Sequence, residues 1–238
     1  MPMWMTRAEF LTAHAVLNGA ASFSAEASGR LFRANGLAEE GVNQLLQRGG
    51  LYRKLVPECP AEHRRLLHGQ RLAIGGRTWE VIVGYGHAPE HASLHCRELN
   101  VLISGDMLLP KISTNVAVRP IDPAANPLGL FLESIRRYRA LDAGVLVLPS
   151  HGAPFRGAHA RVEALEAHHA VRLDALQAAC AAAPRSAADV LEILFRRKLE
   201  ANQIFFAMGE SIAHLHCLYE AGRLRRDTGP DGVIRYAA

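Results

Sequence analysis

The chain has only four cysteines in 238 residues, Cys59, Cys96, Cys180 and Cys217, and none stands in a CxxC pair. That scarcity speaks against a disulfide framework and against a thiolate zinc site; the four read as buried, reduced thiols. Long apolar runs are missing too. Nothing approaches the roughly 18–20 residues that a membrane span requires. The N-terminal stretch MPMWMTRAEF lacks a basic segment followed by an apolar one, so no secretory leader is expected, and Glu9 weighs against a transit peptide. A cytoplasmic location without membrane contact is therefore expected. Charge of one sign is in short supply as well. Lys and Arg number 27 against 23 Asp and Glu, for a net charge of +4 and a pI near 9.1. So mild an excess admits anionic substrates but is not the clustered basic face of a nucleic-acid-binding protein.

What is present suits a folded chain with one sizeable core and a small appendage. The apolar share of 49% and charged share of 21% are those of an ordinary globular protein. TRAE, Thr6 to Glu9, reads as a capping box opening a helix. Two more periodic stretches follow, SAEASGRLFRANG and LAEEGVNQLLQRGG, each stopped by glycine. From Gln70 the period changes. RLAI-GG-RTWEVIVGYG is a hairpin pattern, with Gly75 and Gly76 as the turn, and ASLHC and NVLISGD are further short strands. A helix is expected over Leu128–Leu141 and a buried strand in GVLVLPSHG. Strands and helices thus alternate around a β core, an α/β arrangement. From about Gly157 the pattern is helical: a long Ala-rich helix ending at Pro184, then SAADVLEILF and ESIAHLHCLYEAGRL as a helix pair. RLRRDTGPDGVIRYA closes the chain as two strands around a turn. Three helices and such a hairpin make a winged-helix layout, and residues 1–160 and 161–238 are read as two domains.

Three polar side chains share one description, a metal-ligating group at the C-terminal end of an apolar strand. His87 follows WEVIVGYG, Asp106 follows NVLISG, and His151 follows GVLVLPS. Loops at such strand ends converge on one crevice in α/β architectures. Imidazole suits zinc, and a carboxylate can bridge two ions. Gly86, Gly105 and Gly152 let the chain turn sharply beside each.

These segments together resemble the metallo-β-lactamase superfamily of binuclear metal hydrolases. GHAPEHASL is similar to that family's GHTxGHxSL turn, LISGDMLLP to its strand ending in a bridging aspartate, and VLPSHGAPF to its final HG loop. The segment ISTNVAVRPIDPAANPLGLFLESIRRYRALDA resembles the branch whose members end in a winged helix. The resemblance runs from about Met3 to the C-terminus. It implies a metallo-β-lactamase-like αββα sandwich followed by a small winged-helix domain. It also implies that His87 ligates a first zinc, Asp106 bridges, and His151 ligates a second. His91 would orient the loop or touch substrate, so Asp106 and His91 are the candidate catalytic residues. Ala88 and Glu90 depart from the pattern, which more often has Thr and Gly there.

The family's HxHxDH run is absent from the sequence. HLHCLY, from His214 to Tyr219, has the HxH spacing but no Asp-His after it, and it falls within a helix, which makes it a packing element. His168-His169 and the His63/His68 pair have no carboxylate companion at useful spacing. The sandwich is accordingly expected to be N-terminally incomplete, with Met3-Trp4-Met5 the remnant of a strand, and the zinc site to be empty or to hold one loosely bound ion. An uncovered sheet edge and apolar face then favour a homo-oligomer.

An intact member would use metal-bound hydroxide to attack an ester, thioester, lactone, amide or phosphodiester of a small-molecule substrate, the metals stabilising the oxyanion. This chain, in its N-terminally short form, is expected to be weakly active or inactive. Lys111 and Arg119 are candidates for contact with anionic substrates, or else two solvated surface charges. Two other readings compete, a non-catalytic winged-helix regulator that binds nucleic acid and an endoribonuclease. Against the regulator, GESIAHLHCLYEAG carries two glutamates and no Lys or Arg. Arg223, Arg225 and Arg226 form the only basic cluster of the presumed wing.

Overall fold

The structure, a computed structural model, describes residues 2–47, 55–195 and 199–238. The chain divides into two compact units, each assembled from separate segments. The first is Met1–His14, Cys59–Asn115 and Gly129–His168; the second is Ala15–Glu58, Val116–Leu128 and His169–Ala238.

The first unit is built on a mixed sheet. Two short strands come first in the chain, β1 (Trp4–Met5) and β2 (Arg64–Arg65), paired parallel to each other. Strand β2 is a departure from the helical reading of the first seventy residues. The main sheet contains β3 (Arg71–Ile74), β4 (Arg77–Gly84), β5 (His91–Cys96), β6 (Val101–Gly105) and β7 (Leu146–Pro149), in that spatial order. The first three pairings are antiparallel and β6–β7 is parallel. Gly75 and Gly76, at φ 60° and 74°, close the β3–β4 hairpin as expected; a two-residue turn of this kind needs positive φ at both central positions. The parallel pair needs a long connection. Within it lie a helix over Pro127–Arg136 and a 3-10 turn over Arg137–Ala140, where one helix to Leu141 is expected from sequence.

Alternation along β6 shows how the sheet is covered. Leu102 and Ser104 are fully buried, while Ile103 between them is 40% exposed. One face of the strand NVLIS is thus partly open. On that face Ile103 stands in register with Leu94 and Leu148. Among the described residues, the only other strand pairs are β1–β2 and the C-terminal hairpin.

Helix α1 (Arg7–Leu17) begins differently from the capping box expected of TRAE. The Thr6 hydroxyl donates to the Glu90 carbonyl at 2.7 Å, and Glu9 Oε1 accepts from the Glu90 N–H at 3.2 Å. A remote loop has taken over the cap.

The second unit is mainly helical. Helix α2 (Ala25–Ala34) is capped by Ser24, whose hydroxyl accepts from the Ala27 N–H at 3.1 Å. It ends at Gly36 with φ 89°, the left-handed position that glycine tolerates. Helix α3 covers Glu39–Leu46; the glycine stop expected after it, at Gly49-Gly50, lies outside the described residues. The long helix expected before Pro184 is present over Ala158–Ala182, and its part from His169 onward belongs to this unit. SAADVLEILF is reduced to a single turn, Leu191–Leu194. Ser186 and Asp189 account for the shortening. Asp189 Oδ2 accepts from the Ser186 N–H and hydroxyl, both at 2.8 Å, and such local side-chain bonds compete with helix. A further helix runs over Ala201–Glu220. Strands β8 (Arg225–Thr228) and β9 (Ile234–Ala237) form the terminal antiparallel hairpin. No described helix is long and apolar enough to cross a membrane.

Candidate metal centre

Strand directions bring the candidate residues to one edge of the main sheet. Strands β4 and β6 are each antiparallel to β5, so they point the same way, and β7 is parallel to β6. Their C-terminal ends therefore open on the same side. Gly84 pairs with His91 there, and Gly105 pairs with Pro149. His87, Asp106 and His151 each lie one to three residues beyond a strand end.

The structure brings all three together around a single carboxylate. His87 Nε2 lies 3.5 Å from Asp106 Oδ2, and His151 Nε2 lies 3.5 Å from Asp106 Oδ1. The two imidazoles address different oxygens, as a bridging carboxylate requires. His87 Nδ1 lies 2.9 Å from the carbonyl of Asn115. A carbonyl only accepts, so Nδ1 carries a proton and Nε2 is the ring nitrogen turned toward the Asp106 carboxylate. A cation held between each imidazole nitrogen and its carboxylate oxygen would join them. Two ligands of one tetrahedral zinc, each at about 2.0–2.1 Å, stand about 3.4 Å apart, close to the spacing found.

Other groups hold Asp106 in place. Its N–H donates to His91 Nε2 at 3.2 Å, and its carbonyl accepts from the Thr114 hydroxyl at 2.5 Å. Ser150 donates to Oδ1, also at 2.5 Å. Burial, aided by the nearby His87, holds the His91 imidazole below its usual range, with Asp106 acting the other way. His91 is thus kept neutral, in the state that lets Nε2 accept from Asp106. Its Nδ1 is buried with no hydrogen-bond partner among the described residues. Gly105, at φ 53°, makes the close approach possible, because a Cβ there would collide with His91 Nε2.

The donors match a metal in kind but not in number. Each side of Asp106 offers one imidazole nitrogen and one carboxylate oxygen. A catalytic zinc usually takes three protein ligands. Among the described residues no group of three or more His, Cys, Asp or Glu side chains is placed to hold one ion.

Of the two basic candidates, Lys111 is exposed, and its carbonyl accepts from Arg161. Arg119 is exposed and belongs to the second unit. The other histidines have structural surroundings. His68 Nδ1 accepts from the Val83 N–H, His63 stacks on Phe10, and His169 bonds to His214 within the second unit. Sequence reasoning missed Asn115, Thr114 and Ser150. Asn115 acts through its backbone, which leaves no sequence signal, whereas Ser150 adjoins His151 in PSHG and was open to recognition.

Comparison with known proteins shows the family. The family model described as "Metallo-beta-lactamase superfamily" matches residues 21–151, more than half of the chain. The chain belongs to the metallo-beta-lactamase superfamily. A second model, "Metallo-beta-lactamase-like, C-terminal domain", matches residues 173–238. Among solved structures, a beta-lactamase domain protein from Burkholderia ambifaria is 46% identical with a TM-score of 0.91, over 100% of this chain and 66% of that one. The metallo-beta-lactamase family protein TTHA1429 from Thermus thermophilus is 33% identical with a TM-score of 0.79, over 99% of this chain and 71% of that one. Both superfamily relatives support the α/β fold with its mixed sheet and helices. The probable metallo-hydrolase YqjP of Bacillus subtilis is 29% identical over 147 residues, 60% of this chain. The chain spans about half the length of that curated relative, 46% of it.

Proposed function

We propose that this superfamily member is a metal-dependent hydrolase acting on a small molecule through an ester, thioester, lactone or phosphodiester bond, and that His87, Asp106 and His151 are its own contribution to a zinc centre. One observation carries the reading: with its Nδ1 held by the Asn115 carbonyl, His87 turns Nε2 to one oxygen of the Asp106 carboxylate while His151 Nε2 addresses the other. The name of the Bacillus relative, a probable metallo-hydrolase, supports the reaction class. With two donors per ion, these residues anchor a metal without completing its site, so no bond-breaking step is assigned to them alone.

Along the chain we place the hydrolase part at residues 1–160 and a winged-helix part at 161–238. The latter reading rests on the helix Ala158–Ala182, the turn Leu191–Leu194, the helix Ala201–Glu220 and the β8–β9 hairpin. Duplex reading by that tail finds no support. Residues 207–216, which include most of the candidate recognition helix, are buried without interruption, and a helix buried on every side has no face for a groove. We expect a cytoplasmic homo-oligomer, associated through the open sheet face around Ile103.

Zinc titration of the purified chain tests the central assignment. Uptake of fewer than two equivalents, abolished by Asp106→Asn, is the expected outcome. Uptake indifferent to Asp106→Asn refutes it.

A further inference from the structure

The loop between β4 and β5 carries His87, and it is held at more than its two strand ends. Tyr85 N–H donates to the Ser134 hydroxyl at 2.9 Å, and the His87 ring is tied to Asn115. The third tether is Glu90, where every polar group of one residue is in use. Its carbonyl accepts from the Thr6 hydroxyl at 2.7 Å and its N–H donates to Glu9 Oε1 at 3.2 Å. Its own carboxylate Oε2 accepts from the Ala8 N–H at 3.1 Å.

Three bonds thus join one loop residue to the first turn of a helix more than eighty positions away in sequence. The first N–H groups of a helix have no partner within it, and the positive end of its dipole favours a carboxylate. Glu90 supplies both needs from outside the helix. A residue without a carboxylate here would leave the Ala8 N–H without this acceptor. The next residue in the chain is His91, whose Nε2 receives the Asp106 N–H. A displacement at residue 90 therefore passes in one direction to His91 and in the other to His87.

We infer that Glu90 is a positioning residue, which clamps the His87–His91 loop to the start of helix α1 and so sets both imidazoles against Asp106. The inference rests on the metal-centre reading for its purpose, but its geometry can be tested without any metal. Replacing a group that orients ligands from behind costs about 10–100-fold in metal affinity where it has been measured.

The test uses Glu90→Ala and Glu90→Gln in the full chain. Amide exchange at Ala8 and the ring nitrogen and proton signals of His87 are recorded by NMR without metal, and zinc alone is then titrated. In Glu90→Ala, Ala8 exchange should accelerate about tenfold and the slowly exchanging His87 Nδ1 proton should be lost, with exchange in β5 and β6 unchanged. Zinc affinity should fall about tenfold. Glu90→Gln keeps an acceptor for Ala8 and should restore the ring signal, with zinc affinity within about threefold of wild type. Unaltered Ala8 exchange and an unaltered His87 signal in Glu90→Ala overturn the inference. So does faster exchange spread evenly over the sheet, the mark of general destabilisation. If wild type takes up no zinc while the NMR changes occur as described, the metal reading fails and the clamp stands. Should Glu90→Ala not fold, Thr6→Val, which removes the hydroxyl bond to Glu90, is judged by the same signals.

Discussion

His87 and His91 stand four residues apart in a loop, and His214 and His216 stand two apart in a helix. All four are partly or wholly shielded from solvent. Three of them share a detail, an Nδ1 paired with a backbone carbonyl: Asn115 for His87, Glu210 for His214 and Ala125 for His216. The difference lies at the other nitrogen. His214 Nε2 lies 3.1 Å from His169 Nδ1, so a second imidazole completes its hydrogen bonding inside the unit. His87 Nε2 meets the Asp106 carboxylate instead. Density and spacing of histidines therefore say little by themselves. What the second ring nitrogen faces separates a packing residue from the proposed ligand.

Substitutions can break or sharpen this contrast. His214→Ala removes a fully buried ring and its bond to His169, and should cost about 2–4 kcal/mol of stability in denaturant unfolding while leaving zinc uptake intact. A cost below about 1 kcal/mol would place His214 outside the core. Gly105→Ala imposes a side chain at φ 53° and against His91. We expect a loss of about 1–3 kcal/mol, seen as a lower unfolding midpoint, together with displacement of the His91 ring signal.

Acid should act on the helical pair. Burial is the main cause that holds the His216 imidazole below its ordinary value of 6.5. The folded chain then binds fewer protons than the unfolded chain. The stability due to neutral His216 is complete above about pH 6.5 and is lost as pH falls through the lower, folded-state value. Unfolding midpoints followed from about pH 7.5 downward should decline below about 6.5, and His216→Gln should flatten that decline. At the small end, His151 is 68% exposed in its side chain. His151→Ala should change stability by less than about 0.5 kcal/mol and still weaken zinc uptake.

Much of this arrangement is legible in the residues. WEVIV, NVLIS and GVLVLP are apolar runs that announce strands, and each is followed by a permissive turn and then by His87, Asp106 or His151. Hairpin chemistry at Gly75-Gly76 announces the β3–β4 register. Three features lie beyond reach of that reading. The Asn115 carbonyl orients His87 through the backbone, so any residue type at position 115 leaves the same trace. Glu9 looks like half of a local capping box, whereas its partner is Glu90, which only the folded chain brings near. The helix expected over SAADVLEILF gives way to the Ser186–Asp189 turn, since Ser and Asp serve a helix cap and a turn by the same bonds. Local pattern thus marks the strand ends, while the links between remote segments belong to the fold.

Zinc titration followed by calorimetry, on wild type, Asp106→Asn and His214→Gln side by side, tests the central claim most directly. The account predicts fewer than two equivalents in wild type, none in Asp106→Asn and wild-type uptake in His214→Gln. Uptake that survives Asp106→Asn and disappears in His214→Gln would contradict it.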